Sequence, residues 1–256
     1  SAADTDNTAV GYRAGLSVTT GVENTLIGSL AGDAITTGVN NTAVGKGALS
    51  SNTTASSNTA VGRNALLTNT TGTNNVAVGY ASLDASTTAS NNTALGYNAG
   101  TAVTTGASNT GIGSAALTAN TTGGSNTAVG GASMAALTTA SFNTAVGLNS
   151  GNTLTTGADN TLIGVSAGTS LTTGTLNVAV GRNALAGGAA TNRNVAIGNN
   201  TLQSVSAASS VDSYNVAIGY SAGSGVSTGI RNTIVGGLAL DANTTGGNNA
   251  ALGYGA

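Results

Sequence analysis

The chain has no cysteine, histidine, proline or tryptophan, a single methionine, a single phenylalanine, and only 5% charged residues. Each absence closes off a class of function. Without thiol or imidazole there is no ready nucleophile, general base or soft metal ligand, and a serine nucleophile would need an unusual base. Six Lys and Arg against eight Asp and Glu leave a net charge of -2. That balance is far from the cationic surface a phosphate backbone demands, so nucleic acid is not an expected partner. The chain contains no run of about 18 apolar residues, so this segment is not expected to insert into a membrane. The opening "SAADTD" lacks the basic and apolar regions of a signal peptide, and the last repeat stops at "NAALGYGA"; together they read as a piece cut from something longer.

What the chain does have is one idea, repeated. An Asn-x-x-x-Gly signature begins at Asn7, Asn24, Asn41, Asn58, Asn75, Asn92, Asn109, Asn126, Asn143, Asn160, Asn177, Asn194, Asn215, Asn232 and Asn249. Every step is 17 residues except the 21 from Asn194 to Asn215. Numbered from its Asn, the unit reads N-T-A-V-G-x-x-A-(L/G)-x-x-(N/V)-T-T-G-x-x, and residues 1–256 read as a single repeat domain. With 40 glycines and little charge, the composition alone would suit disorder. The periodicity argues otherwise, because position 4 is Val, Ile or Leu in all fifteen units. Such columns are the mark of stacked coils whose core no single repeat could bury alone. The expected fold is therefore all-β, a parallel β-solenoid of about fifteen coils.

The punctuation sketches the coil. Position 5 is always Gly and position 15 usually is, which calls for turns at positive φ or for close backbone approach. Two corners imply at least two strands, one at "NTAV" and one at the "TT" before the second Gly. Stacked Asn amides at position 1 would bond from coil to coil. Strand alternation separates positions 2 and 4 from position 3. The expectation is that position 4 forms an internal ladder and that the mostly Ala position 3 faces outward, as at Ala43, Ala60, Ala77 and Ala94. There it would let another chain approach, with Leu26, Leu162 and Ile234 filling an axis between subunits.

Comparison of the units reveals a second rule. Leu at position 9 goes with a polar residue at position 12, as in Leu49 with Asn52 and Leu66 with Asn69. Gly at position 9 goes with an apolar one, as in Gly32 with Ile35 and Gly168 with Leu171. One core slot is filled from either of two positions, and a bend must lie between them. Two units fill both places, with Met134 and Leu137 and with Leu202 and Val205, and are expected to be locally widened.

Apart from Asp4, Asp6 and Asp212, every charge falls at position 6, 7, 10 or 17, which marks those positions as solvent-facing. The tyrosines share these edges, so a candidate contact surface comprises Tyr80 and Tyr97 at position 6, with Arg193, Asp212 and Tyr214 around the 21-residue unit. The last three are expected on a protruding loop of which Ser206 to Ser209 are the extra residues. The acids are not paired within a unit as a glycosidase dyad requires, the terminal Asp4 and Asp6 apart, and no regular Asp ladder suggests calcium. No catalytic residue, cofactor or metal site is expected.

"NVAVG" at Asn177 and "NVAIG" at Asn194 and Asn215 resemble the head repeats of trimeric autotransporter adhesins, which form a left-handed parallel β-roll. The longer "NTAVGxxAL...NTTG" unit resembles repeat tracts of bacteriophage tail-fibre proteins. The resemblance implies a left-handed homotrimer on an extracellular, cell-surface or virion fibre, with a cell-surface glycan or protein as its target. The alternative is an ice-binding solenoid whose "TT" pairs present ranks of Thr.

Overall fold

Gly at two points in most 17-residue units leaves no room for an unbroken helix. In the computed structural model, which describes residues 6–206 and 211–256, there is no helix among the described residues. Instead, the three residues after each opening Asn form a short strand. Contacts divide the chain into two compact units, Ser1–Ser125 and Asn126–Ala256. The first holds β1 (Thr8–Val10), β2 (Thr25–Ile27), β3 (Thr42–Val44), β4 (Thr59–Val61), β5 (Val76–Val78), β6 (Thr93–Leu95) and β7 (Thr110–Ile112). The second holds β8 (Thr127–Val129), β9 (Thr144–Val146), β10 (Thr161–Ile163), β11 (Val178–Val180), β12 (Thr191–Asn192), β13 (Val195–Ile197), β14 (Val211–Asp212), β15 (Val216–Ile218), β16 (Thr233–Val235) and β17 (Ala250–Leu252). Within each unit the three-residue strands pair parallel and in register from coil to coil, Thr42 opposite Thr59 and Ala43 opposite Ala60, for example, while β12 and β14 pair with each other in a separate two-stranded sheet. The fold is a parallel β-solenoid.

The Asn columns hold the coils in step, as their sequence position suggests. The Asn41 Nδ2 donates to the Asn24 Oδ1 at 3.0 Å and to the Ala55 carbonyl at 2.9 Å. That same Asn24 oxygen also accepts the Asn41 backbone N–H at 3.0 Å. In the second unit Asn160 repeats this arrangement with Asn143 and Gly174. The long coil does not interrupt it, since Asn215 N–H reaches Asn194 Oδ1 at 3.3 Å and β13 pairs β15 in register. Gly at position 5 fixes the next corner. Its φ is between 127 and 140° in every coil, and a Cβ on Gly28 would stand 2.7 Å from the Gly45 carbonyl. Only glycine fits both conditions.

The strand alternates as expected but in the opposite sense. Ala43, Ala60 and Ala77 at position 3 are fully buried, and so are Leu26, Leu162 and Ile234. Position 4 faces out, with Val10 58% and Ile27 39% exposed. The reason is the width of the coil. Its interior is already occupied by the Asn column, the small residues at position 8 and one large side chain, so the small member of Thr-Ala-Val points inward. The bulky β-branched residues stand on the outer face, where a pleated surface suits them. The second expected strand is also modest. At the Thr pair the coils exchange backbone bonds, as from Thr36 N–H to the Thr53 carbonyl at 2.9 Å. Among the described residues, strand geometry at this side appears only in the β12–β14 pair.

The shared slot is real and has three contributors rather than two. Leu49, Leu66 and Leu83 at position 9 are buried, and so are Ile35, Leu154 and Leu171 at position 12. Where position 3 is large, the neighbouring position 9 is small. A Cβ on Gly32 would lie 2.7 Å from Leu26 and 2.8 Å from Ile35, and one on Gly168 2.8 Å from Leu162. Met134, Leu137, Leu202 and Val205 are all buried, yet these coils keep the ladder bonds of their neighbours, as at Met134 N–H to Ser150 O, 2.9 Å. Glycine in the next coil makes room for the extra volume, Gly151 beside Met134 and Gly223 beside Leu202. Position 9 has left-handed backbone whether it is Gly or Leu, with φ of 54° at Gly32 and 50° at Leu66.

Candidate contact surface

The turn at each position-5 glycine sends position 6 out to solvent, and the in-register strands line these side chains up one per coil, roughly 4.8 Å apart. In the first unit four consecutive coils place Lys46, Arg63, Tyr80 and Tyr97 there, all exposed. The Tyr80 and Tyr97 rings stack with centroids 5.4 Å apart and planes 13° from parallel. The Arg63 guanidinium sits 5.7 Å from the Tyr80 ring centre. The expected pair of tyrosines is thus a single stacked unit, extended on one side by two cations. Those cations were legible as position-6 charges, but their company with the tyrosines follows only from 17-residue spacing read as spatial adjacency.

In the second unit Arg193, Asp212 and Tyr214 also meet. Arg193 Nε lies 3.1 Å from Asp212 Oδ1, its guanidinium 5.6 Å from the Tyr214 ring, and the Tyr214 hydroxyl donates to Asp212 Oδ2 at 3.3 Å. They do not lie on a protruding loop. Arg193 and Tyr214 are the last residues of consecutive coils, each just before the next opening Asn; Arg193 N–H donates to Thr175 O at 3.0 Å, and Asp212 belongs to β14, opposite Asn192 of β12. Of the expected protrusion, residues 207–209 are outside the described residues. This cluster is closed on itself, each charge meeting its opposite.

The expectation that charges mark solvent holds at positions 6 and 17 but weakens at position 10. Asp33 and Asp84 are half-buried, and each has a carboxylate oxygen shut off from water without a partner. Burial raises the Asp84 carboxyl above the usual aspartate range, outweighing the backbone N–H groups of Ala85 and Asp84 that lower it. Among the described residues no cavity opens and no group of three His, Cys, Asp or Glu converges. Comparison of the chain with known protein families, with curated proteins and with solved structures finds no match.

The outer face of the strands is also uncharged. Positions 2 and 4 together present Thr or Val beside Val, Ile or Leu in nearly every coil, and neither position holds a charge in any of the fifteen. Position 4 is substantially open in both units, with Leu95 37%, Ile112 38%, Ile163 39% and Ile218 40% exposed.

Proposed function

We propose that the chain is a structural and interaction module of an extracellular or virion fibre, and that it works as a homotrimer. The observation carrying this reading is the apolar outer face. Exposed contiguous apolar surface of this kind marks an interaction site. A row of side chains repeating with every coil is matched row by row only by a partner with the same spacing, and a further copy of this chain has that spacing. The Ala column is buried and offers no surface to another chain; the outward Val and Ile column does. The adhesin and tail-fibre resemblance supplies the number three and the fibre context.

A second reading, ice binding, draws on the same face, because positions 2 and 4 offer two parallel ranks. The Thr pairs at positions 13 and 14 serve it less well. The hydroxyl of the first Thr is spent on the next coil, as from Thr36 to the Thr53 carbonyl at 3.1 Å and from Thr155 to the Thr172 carbonyl at 3.0 Å. Sedimentation equilibrium at micromolar concentration decides for the fibre reading if the mass is three times the 24.0 kDa of the chain. A mass of one chain, accompanied by thermal hysteresis, would replace it with ice binding.

A further inference from the structure

We propose that Lys46, Arg63, Tyr80 and Tyr97 form a binding site for an acidic saccharide. The tyrosines stack on sugar rings and the two cations take up its carboxylates or sulfates. The proposal deepens the interaction-module reading and rests on it. Its first support is unspent charge. Among the described residues no carboxylate pairs with Lys46 or Arg63, and the one ion pair is Arg193 with Asp212 in the other unit. The acids of the first unit's described coils, Glu23, Asp33 and Asp84, lie at positions 10 and 17, never at position 6, and Asp6 precedes the first coil. Two like charges on adjacent coils repel one another, so an anion laid along them relieves a standing cost.

The second support is the aromatic geometry. Tyr80 has Arg63 on one side of the stack and Tyr97 on the other. Tyr97 is 59% exposed, and the next coil offers only Ser114 at position 6, which is too short to cover a ring. A ring face that is apolar, flat and open at the end of such a row suits the C–H face of a pyranose, while its hydroxyl edge remains in water. Arg63, already oriented against Tyr80, presents its planar fork to a carboxylate or sulfate on the neighbouring sugar. The contrast with the second unit is chemical. In the Arg193–Asp212–Tyr214 cluster the cation, the carboxylate and the tyrosine satisfy one another, so that cluster offers no free charge to a ligand.

The test is isothermal titration of the intact chain, in its native association state, with three hexasaccharides: a heparin-derived sulfated one, an oligogalacturonate, and maltohexaose. The sulfated or the carboxylated sugar, or both, should bind, and maltohexaose should not. Arg63→Gln and Tyr97→Ala should each weaken binding about tenfold, while Tyr97→Phe should retain it. Arg182→Gln removes a cation at the same repeat position, flanked at position 6 of the adjacent coils by Val165 and Asn199 rather than by tyrosine, and should leave binding unchanged. The proposal is overturned if neither acidic sugar binds, if maltohexaose binds equally well, or if Arg182→Gln weakens binding as much as Arg63→Gln. Its failure is separable from failure of the fibre reading, because the association state is read by mass and the site by titration.

Discussion

Leu66 shows at the residue scale what the repeat tolerates and why. Its φ of 50° is a left-handed conformation that costs an L-residue roughly 1–2 kcal/mol, yet its side chain is fully buried and burial offsets the strain. Three residues on, Asn69 turns into the same interior, gives one hydrogen bond to the Gly72 carbonyl at 2.9 Å, and leaves its Oδ1 without a partner. Leu66→Ala should therefore cost about 2–5 kcal/mol. Adding Asn69→Val should recover part of that loss, because position 12 reaches the vacated space and an unpaired buried oxygen is removed. Urea unfolding of the two single variants and the double variant measures the coupling, and strictly additive losses would contradict the shared slot. Asp84 offers a pH test. Its folded-state pKa is raised by burial, so the native chain binds more protons than the unfolded one in the window above the ordinary aspartate value. Stability attributable to this group falls as pH rises through that window and stays lower above it. Asp84→Asn should be more stable than the parent at neutral pH, with the advantage gone at about pH 3. An advantage that persists in acid would contradict the assignment.

At the scale of the element, the coil depends on the Asn ladder more than on any strand. Asn75 accepts the Asn92 N–H at 3.0 Å and donates to Asn58 Oδ1 at 3.2 Å and to the Ala89 carbonyl at 2.8 Å. Asn75→Ala takes this partner from the buried Asn92 N–H and Ala89 carbonyl, at about 1–3 kcal/mol for each, while Asn58 Oδ1 keeps the backbone N–H of residue 75. Thermal unfolding should show a larger loss than for Thr71→Ala, whose position is exposed; an equal loss would mean that the ladder follows the stack rather than holding it. The period, the Asn column and the position-5 glycine were legible because each is an invariant demanded by backbone geometry. The sense of Thr-Ala-Val was not, because hydrophobicity alone places Val inside, and only the narrowness of the core reverses it. The Leu26 and Gly32 complementarity was visible as sequence variation, but it became readable as volume exchange only once position 3 was known to point inward. The Tyr80 and Tyr97 stack was nearly legible, being two tyrosines 17 residues apart. The closed Arg193–Asp212–Tyr214 cluster depends on β12 and β14, which break the repeat pattern and so had no column to announce them.

At the scale of the whole molecule, the repeat spends its small and polar residues on holding coils together and leaves the β-branched residues of positions 2 and 4 on the outside. Strand propensity accounts for β-branched residues at these positions, and the lack of any charge among them leaves the face open to another copy. Association of copies through that face makes sense of the inverted strand, and it is the central claim. The most direct test places charge there. Val61 and Val78 lie on the face at position 4, and their side chains are partly open to solvent, whereas Thr54 and Thr71 are exposed at position 14. A chain carrying Val61→Lys and Val78→Lys should keep its circular dichroism and sediment as single chains of 24.0 kDa, since unpaired charge is not buried between copies. A chain carrying Thr54→Lys and Thr71→Lys should keep the mass of three. Retention of the threefold mass by the Val61 and Val78 variant would contradict the account.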